Sequence, residues 1–442
     1  MGIRLTYITT VPSTLVELLR DQIGYMRLRG LDVHAITSPG RDLDTFRTYQ
    51  DIPVHPIPMR REISPFSDLL ALARMVRTLR KIRPDIVHAS TPKAGLLGIL
   101  AAWALRIPVR IYLIRGFRFV TTRGIKRWVL RTVERLSCRL ATDVYCVSPS
   151  NLDYAIAEGI VEAEKIAVLG SGSSNGVDAE MRFNPDHVPS ETRTHLRQEL
   201  AIPLDALVVG FIGRLVRDKG IVDLLEAFRL IQSECPEVHL LLVGPLEKED
   251  PLPTECITAL RRDPRIHLAG QNSDIPAFLS TMDVLAFPSH REGLPNILLQ
   301  ASAMALPVVA TQIPGCVDVV VNGETGTLVP CGDIGALAKA TSTYVGNDVL
   351  AAAGDEHELL DAGFSGLFDG VLDDRLIDDR KHLLRHGLGG RQKARAKTGD
   401  GQDRFADGSG VGHRNLCVSC ALGVPFIAHR CSFRPLALRA IS

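Results

Sequence analysis

Two stretches carry side chains whose types and spacing suit an anionic, hydroxylated ligand. In GFIGRLVRDKGIVDLLEAF (210–228) an apolar run ends at Gly213, Arg214 and Lys219 follow on a short loop, and Gly220 opens a helical pattern. Two cations beside a strand end and a helix N-terminus make an anion site, because unpaired N–H groups and the helix dipole point the same way. Arginine grips phosphate oxygens with two donors and lysine adds a point charge. In FPSHREGLPNILLQASAMALPVVAT (287–311) the loop around Glu292, Gly293 and Leu294 runs into a helix, with Pro295 in the first turn and Asn296 just inside. Gly293 allows close backbone approach. Glu292 is a poor phosphate ligand and a good acceptor for sugar hydroxyls. Gln300 lies eight residues on, about 12 Å along a helix, which suits the far end of one extended ligand. The bland alternatives are a basic solvated loop at 214–219, a helix N-terminal charge at Glu292 and a surface glutamine at 300.

These loops need a scaffold. IRLTYIT (3–9), LDVHAIT (31–37), DIPVHPIP (51–58), PDIVHAS (84–90), VRIYLI (109–114) and DVYCVS (143–148) read as strands, with an amphipathic helix over 14–29 and helices between most of the others. A Gly/Ser/Asn/Pro-rich break follows, and a second series begins at ALVVGFIGRL (206–215). The expected class is α/β: two Rossmann-like domains facing a cleft, with ligands at the carboxyl ends of the strands. The expected division is 1–175, a linker at 176–204, a second domain at 205–346 and an atypical tail at 347–442.

With these motifs the chain resembles the retaining glycosyltransferases of family 4, which have the GT-B fold. The resemblance rests on GRLVRDKG (213–220), REGLPNILLQ (291–300) and TQIPGCVDVVVNGETGTLVP (311–330), and spans about 1–345. It implies that Arg214 and Lys219 neutralise a leaving diphosphate, that Glu292 touches the transferred sugar, and that Asp274 and Ile275 lie by the base. The family signature has a second Glu where this chain has Gln300, so the ribose contact loses charge-assisted strength. The resemblance implies a nucleotide-sugar donor, UDP by analogy, with no divalent metal and no cofactor. HASTPKAGLLGILAA (88–102), RIYLIRGFRF (110–119) and GSGSSNGVD (170–178) are most similar to the bacterial branch that builds capsule, O-antigen or exopolysaccharide, which implies an acceptor saccharide on undecaprenyl diphosphate. Many family members have His where this chain has Arg115, which is expected to face the cleft. Ser90, Thr91 and Lys93 also follow a strand, and Pro12 and Ser13 lie on the first strand–helix loop. A sugar-nucleotide 2-epimerase of the same fold, or a disabled nucleotide-sugar-binding chain, are the competing readings.

Residues 115–139 carry eight Lys or Arg against Glu134, interleaved with Phe117, Phe119 and Trp128. That composition suits an anionic membrane face, so a cytoplasmic protein, peripheral on the inner face of the membrane, is expected. Net charge is +1, and no nucleic-acid motif or footprint is present. The longest apolar stretch, Ala94 to Leu105, is too short to span a bilayer. Nine scattered cysteines and no signal peptide suggest free thiols. Cys417-x-x-Cys420 with His413, His429 and Cys431 is a weak zinc pattern. The tail lacks the closing helix of the GT-B fold and has the Gly/Arg/Asp-rich look of an out-of-register reading frame, an expectation that sequencing the DNA for 340–360 tests.

Overall fold

The computed structural model describes residues 2–345 apart from 41, 44, 45, 47–50, 61–63, 174, 248 and 249. The tail after 346, with the zinc pattern and the short helices expected near 355–386, lies outside the described residues. Strands β1 (Arg4–Ile8), β2 (Asp32–Thr37), β3 (Val54–Pro56), β4 (Ile86–Ser90), β5 (Val109–Ile114), β6 (Asp143–Cys146) and β7 (Ile166–Val168) form one parallel sheet in the order β3-β2-β1-β4-β5-β6-β7. Strands β8 (Leu207–Ile212), β9 (Val238–Val243), β10 (Ile266–Gly270), β11 (Val284–Phe287), β12 (Val308–Thr311) and β13 (Gly326–Val329) form a second, in the order β10-β9-β8-β11-β12-β13. Both are doubly wound. The strand order reverses between β1 and β4 in the first sheet and between β8 and β11 in the second, and such reversals open a ligand crevice at the carboxyl edge.

The strands are apolar because helices cover both faces. In β9 all six residues are buried. Its one polar member, His239, is satisfied by His267 on β10 at 2.8 Å. The first sheet separates two apolar layers, one around Met75, Leu97 and Tyr112 and the other around Tyr7, Leu15 and Ile23. Gly95 in the Pro92–Ala104 helix lets that helix lie on Tyr112, whose ring would sit 2.2 Å from an added Cβ.

Four local expectations change. The helix expected over 14–29 starts at Pro12 and passes through a π-helical turn, Leu15–Leu19, before Arg20–Leu28. The strand expected over 51–58 is confined to Val54–Pro56, since Pro53 and Pro58 withhold ladder donors. Pro295 is the N-cap and not part of the first turn, so its helix is Asn296–Ala303. Within the expected linker lies a helix, Ser190–Glu199, which packs on the helix Ile275–Thr281. Phe183, Leu196 and Ile202 join the second core, and Arg197 is only 1% exposed. Its guanidinium spans Ala206 O at 2.7 Å, Thr281 O at 3.0 Å and Asp283 Oδ2 at 3.0 Å.

Candidate active site

Gly213 follows β8, and its loop carries Arg214, a 3₁₀ turn Arg217–Lys219 and then Gly220, which caps the helix Ile221–Glu234. Gly220 has φ +71°, and a Cβ there would lie 2.0 Å from the carbonyl of Pro288. Only glycine lets the loops after β8 and β11 touch, and that touch brings Lys219 onto Glu292 as an ion pair. Lys219 Nζ also lies 5.6 Å from the Phe287 ring centroid. The loop is braced from below. Arg291 pairs with Asp218 at 2.7 Å, and His290 with Asp223 at 2.7 Å. The bond to Asp223 raises the pKa of His290. Arg214 pairs with Glu247 at 2.8 Å, an acid not singled out in the sequence.

Glu292 therefore lies in the loop before the helix. Gln300 sits about one turn inside the helix, a rise of roughly 6 Å, and not the two turns expected. Among the described residues the buried N–H of Gly293 and the N–H of Leu294 make no hydrogen bond. Asn296 is committed elsewhere, accepting from Ser173 Oγ at 3.0 Å. Asp274 and Ile275 follow β10, three strand positions from β11, which is about 14 Å across a sheet. The Asp274 carboxylate caps its own helix through Ala277 N–H and lines a depression with His195 and Glu199. The structure does not bring it to the Lys219–Glu292 pair.

In the first domain the loops after β1 and β4 meet. Thr10 and Thr91 share a hydroxyl bond of 2.7 Å, and Thr10 Oγ1 accepts from Ala94 N–H at 3.2 Å. Thr91 has φ +75°, strain of the kind that collects at functional sites. Pro12 is buried and Ser13 half-buried at the same edge, and Ser90 is fully buried. Lys93 pairs with Asp68 at 2.7 Å, so its charge is already partnered. Arg115 is deep, and burial pushes it down to about 10. Burial and the charge of Arg115 together hold His88 down at about 3, neutral. Glu17, on the π-helical turn, has its pKa raised by burial and by Asp42 and drawn down by Arg214 of the opposite domain.

The two strand-end sets face each other at close range. A Cβ on Gly116 would lie 2.9 Å from Glu292 O, and one on Gly293 would lie 2.5 Å from Arg115 O. Arg115 thus meets the Glu292 loop backbone to backbone. Ser148, Ser150, Asn151 and Ser173 from the first domain also hold this loop or its neighbours. None was singled out beforehand, although Ser148-Pro149 after β6 repeats the strand-end and helix-start pattern that flagged 288–295.

Segment 115–139 is less uniformly a surface than its composition implies. Phe117 and Phe119 are in the core. In its helix, Gly124–Leu140, Arg127 and Arg131 pair with Glu158, and Arg135 bonds the carbonyl of Gly159 at 2.8 Å. These arginines finish the C-terminus of the following helix, Pro149–Ala157. What faces outward is Ile125 and Trp128, 82% and 68% exposed, beside Lys126 and Arg123. Among the described residues no helix is long and apolar enough to cross a membrane, no cluster of three or more His, Cys, Asp or Glu is placed to hold a metal, and all six cysteines are free.

Comparison with known proteins gives a consistent result. The family described as Glycosyl transferases group 1 matches residues 206–347, and the Glycosyl transferase 4-like domain matches 16–172. The chain is 38% identical, over 78% of its length and 89% of the relative's, to the capsular polysaccharide biosynthesis glycosyltransferase CapM of Staphylococcus aureus. It is 29% identical to the UDP-Gal:alpha-D-GlcNAc-diphosphoundecaprenol alpha-1,3-galactosyltransferase of Escherichia coli, over 66% and 74%. Among solved structures, Anabaena Alr3699/HepE in complex with UDP-glucose superposes with a TM-score of 0.65 at 20% identity, over 87% of this chain and 100% of that one.

Proposed function

The chain belongs to the group 1 glycosyl transferases and is a glycosyltransferase of the GT-B fold, and from that premise we propose that it moves a sugar from a UDP-linked donor to a saccharide on undecaprenyl diphosphate. The transfer retains anomeric configuration, uses no metal and serves bacterial surface polysaccharide synthesis. Domain 205–346 takes the donor and domain 1–175 the acceptor. The observation that carries this reading is the Lys219–Glu292 pair at the β8/β11 reversal, set against Arg115 and Gly116. The donor class is supported by the printed name of the Escherichia coli relative and by the UDP-glucose complex of the Anabaena protein; the acceptor class is supported by the former.

The residues act as follows. A diphosphate arriving between Arg214 and Lys219 competes with Glu247 and Glu292 for these cations. Glu292, released from Lys219, accepts from hydroxyls of the transferred sugar. As the sugar–phosphate bond loosens, negative charge grows on the diphosphate, where Arg214, Lys219 and the N–H groups of Gly293 and Leu294 meet it. Removing one such preorganised donor costs about 10²–10³ in rate. The acceptor hydroxyl attacks from the face the diphosphate leaves, and a departing phosphate oxygen takes its proton. Gln300 accepts from ribose. Ile125 and Trp128, with Phe66 and Leu69, which are 92% and 67% exposed, offer apolar side chains to the inner leaflet, and Arg123 and Lys126 meet its anionic headgroups.

Calorimetry with UDP and GDP, followed by transfer assays on undecaprenyl-diphosphate-linked saccharides, tests the reading. Expected are UDP binding that Lys219→Ala abolishes, and transfer with net retention. A folded protein that binds neither nucleotide sinks it, and binding without transfer or donor hydrolysis points to a disabled enzyme.

A further inference from the structure

Ser148 is the N-cap of the helix Pro149–Ala157, with Pro149 in its first turn. A serine there ordinarily accepts from an N–H of its own helix. Ser148 does not. Its hydroxyl donates across the cleft to Gly293 O, 2.9 Å away. Asn151 reaches the same carbonyl and the one before it, with Nδ2 at 2.7 Å from Gly293 O, 3.2 Å from Glu292 O and 2.9 Å from Ser148 Oγ. One hydroxyl proton and two amide protons are all these side chains have to donate, and all point at this junction. Ser148 is 0% and Asn151 2% exposed. The cap that Ser148 gives up comes from the opposite domain, where Asp318 accepts from Ser150 N–H at 3.1 Å and from its hydroxyl. Ser150 Oγ in turn accepts from Gly315 N–H at 2.7 Å. Gly315 backs the loop so closely that a Cβ there would lie 2.3 Å from Gly293 O.

The local cap is exchanged here for bonds to the carbonyls of the two peptides that follow the sugar-contacting carboxylate. We propose that Ser148 and Asn151 are positioning residues for Glu292: the first domain holds the carbonyls of Glu292 and Gly293, so the donor site is complete only when the domains close on this contact. The proposal rests on the transferase reading above. Neither side chain touches the Glu292 carboxylate; both act through the backbone.

The test uses the full chain and three variants, Asn151→Ala, Asn151→Asp and Ser148→Ala, with kcat, donor KM and UDP affinity measured for each. For Asn151→Ala, kcat falls by about 10²-fold, while KM and UDP affinity change less than about threefold, because Arg214 and Lys219 lie in the other domain. In Asn151→Asp the introduced carboxylate cannot donate to a carbonyl. Burial raises its pKa, and its protonated form regains an O–H donor. The ratio of its kcat to wild type therefore climbs as pH falls, which a packing role would not produce. A flat ratio, or equal losses in kcat and UDP affinity, overturns the proposal. If the Asn151 variants fail to fold, Ser148→Ala, which removes one hydroxyl, must show the same kcat-only loss. If the wild type turns over no donor, the transferase reading is at fault. Amide exchange across 290–296 then decides: Asn151→Ala must speed it, and unchanged exchange overturns the positioning role.

Discussion

Replacing Gly293 by alanine isolates the contact between the domains. Gly293 is not among the residues with left-handed φ, so the substitution adds no backbone strain. It adds only a methyl group, and that methyl would sit 2.5 Å from Arg115 O and 3.0 Å from Val147 Cγ2. Ordinary contact begins near 3.4 Å, so the two strand-end loops must part by about 0.9 Å. Arg115 O is backbone and Val147 Cγ2 sits on a short β-branched side chain that is stiff at χ1, so the displacement falls on the domain closure and on the Glu292 loop. A misplacement near 1 Å at reacting groups costs about 10²-fold. Donor turnover should therefore drop by about that factor. UDP affinity should suffer far less, and the melting temperature should change little. Steady-state kinetics, calorimetry and a thermal scan give the three values. Turnover within about threefold of wild type in a folded variant would refute the claim that this backbone contact sets the site.

Three further outcomes are expected. Burial pushes the Glu134 carboxyl up to about 7 against the pull of the Tyr112 hydroxyl bond, so the folded chain binds its proton more tightly than the unfolded chain; the associated stability is present below the unfolded value of 4.5 and declines until pH passes about 7. Glu134→Gln removes that slope and should gain roughly 3 kcal/mol on wild type between about pH 4 and about pH 8 in urea titrations, any unpaired-amide cost being the same at both ends; parallel pH curves would disprove it. Asp283→Ala strands the buried Arg197 guanidinium and should cost about 3 kcal/mol in the same titration, whereas a loss below about 1 kcal/mol would mean that the carbonyls of Ala206 and Thr281 suffice. Gln300→Glu restores a charged acceptor and should tighten UDP binding about fivefold by calorimetry, and unchanged affinity would remove Gln300 from the ribose.

The buried parallel strands were easy to read, since β8, β9, β11 and β12 are short apolar runs with turn signals at both ends. Arg214, Lys219 and Glu292 stood out because charges directly after such strands have few structural uses. The Ser190–Glu199 helix was hidden. SETRTHLRQE carries one large apolar residue, Leu196, and the helix is anchored by a buried guanidinium instead of a stripe, so hydrophobic periodicity had nothing to register. Ser148, Asn151 and Asp318 were invisible for a different reason. Their partners lie between 141 and 168 residues away, and a serine before a proline announces a helix start without saying where its hydroxyl goes. The inward turn of Phe117 and Phe119 was likewise lost in a segment read by composition.

The placement of Phe183, Leu196 and Ile202 in the second core bears on how such enzymes are recombined. A chimera that grafts a new first half at residue 205 would carry off Phe183, the 190–199 helix and the Arg197 guanidinium, leaving Asp283 and the face of the 275–281 helix exposed. A junction at 176 keeps Val177 and all that follows it, and leaves that core whole. Exchanging first halves between relatives then becomes a matter of matching the loops that touch 292–296 and 315–318, with the Thr121–Asp218 bond beside them.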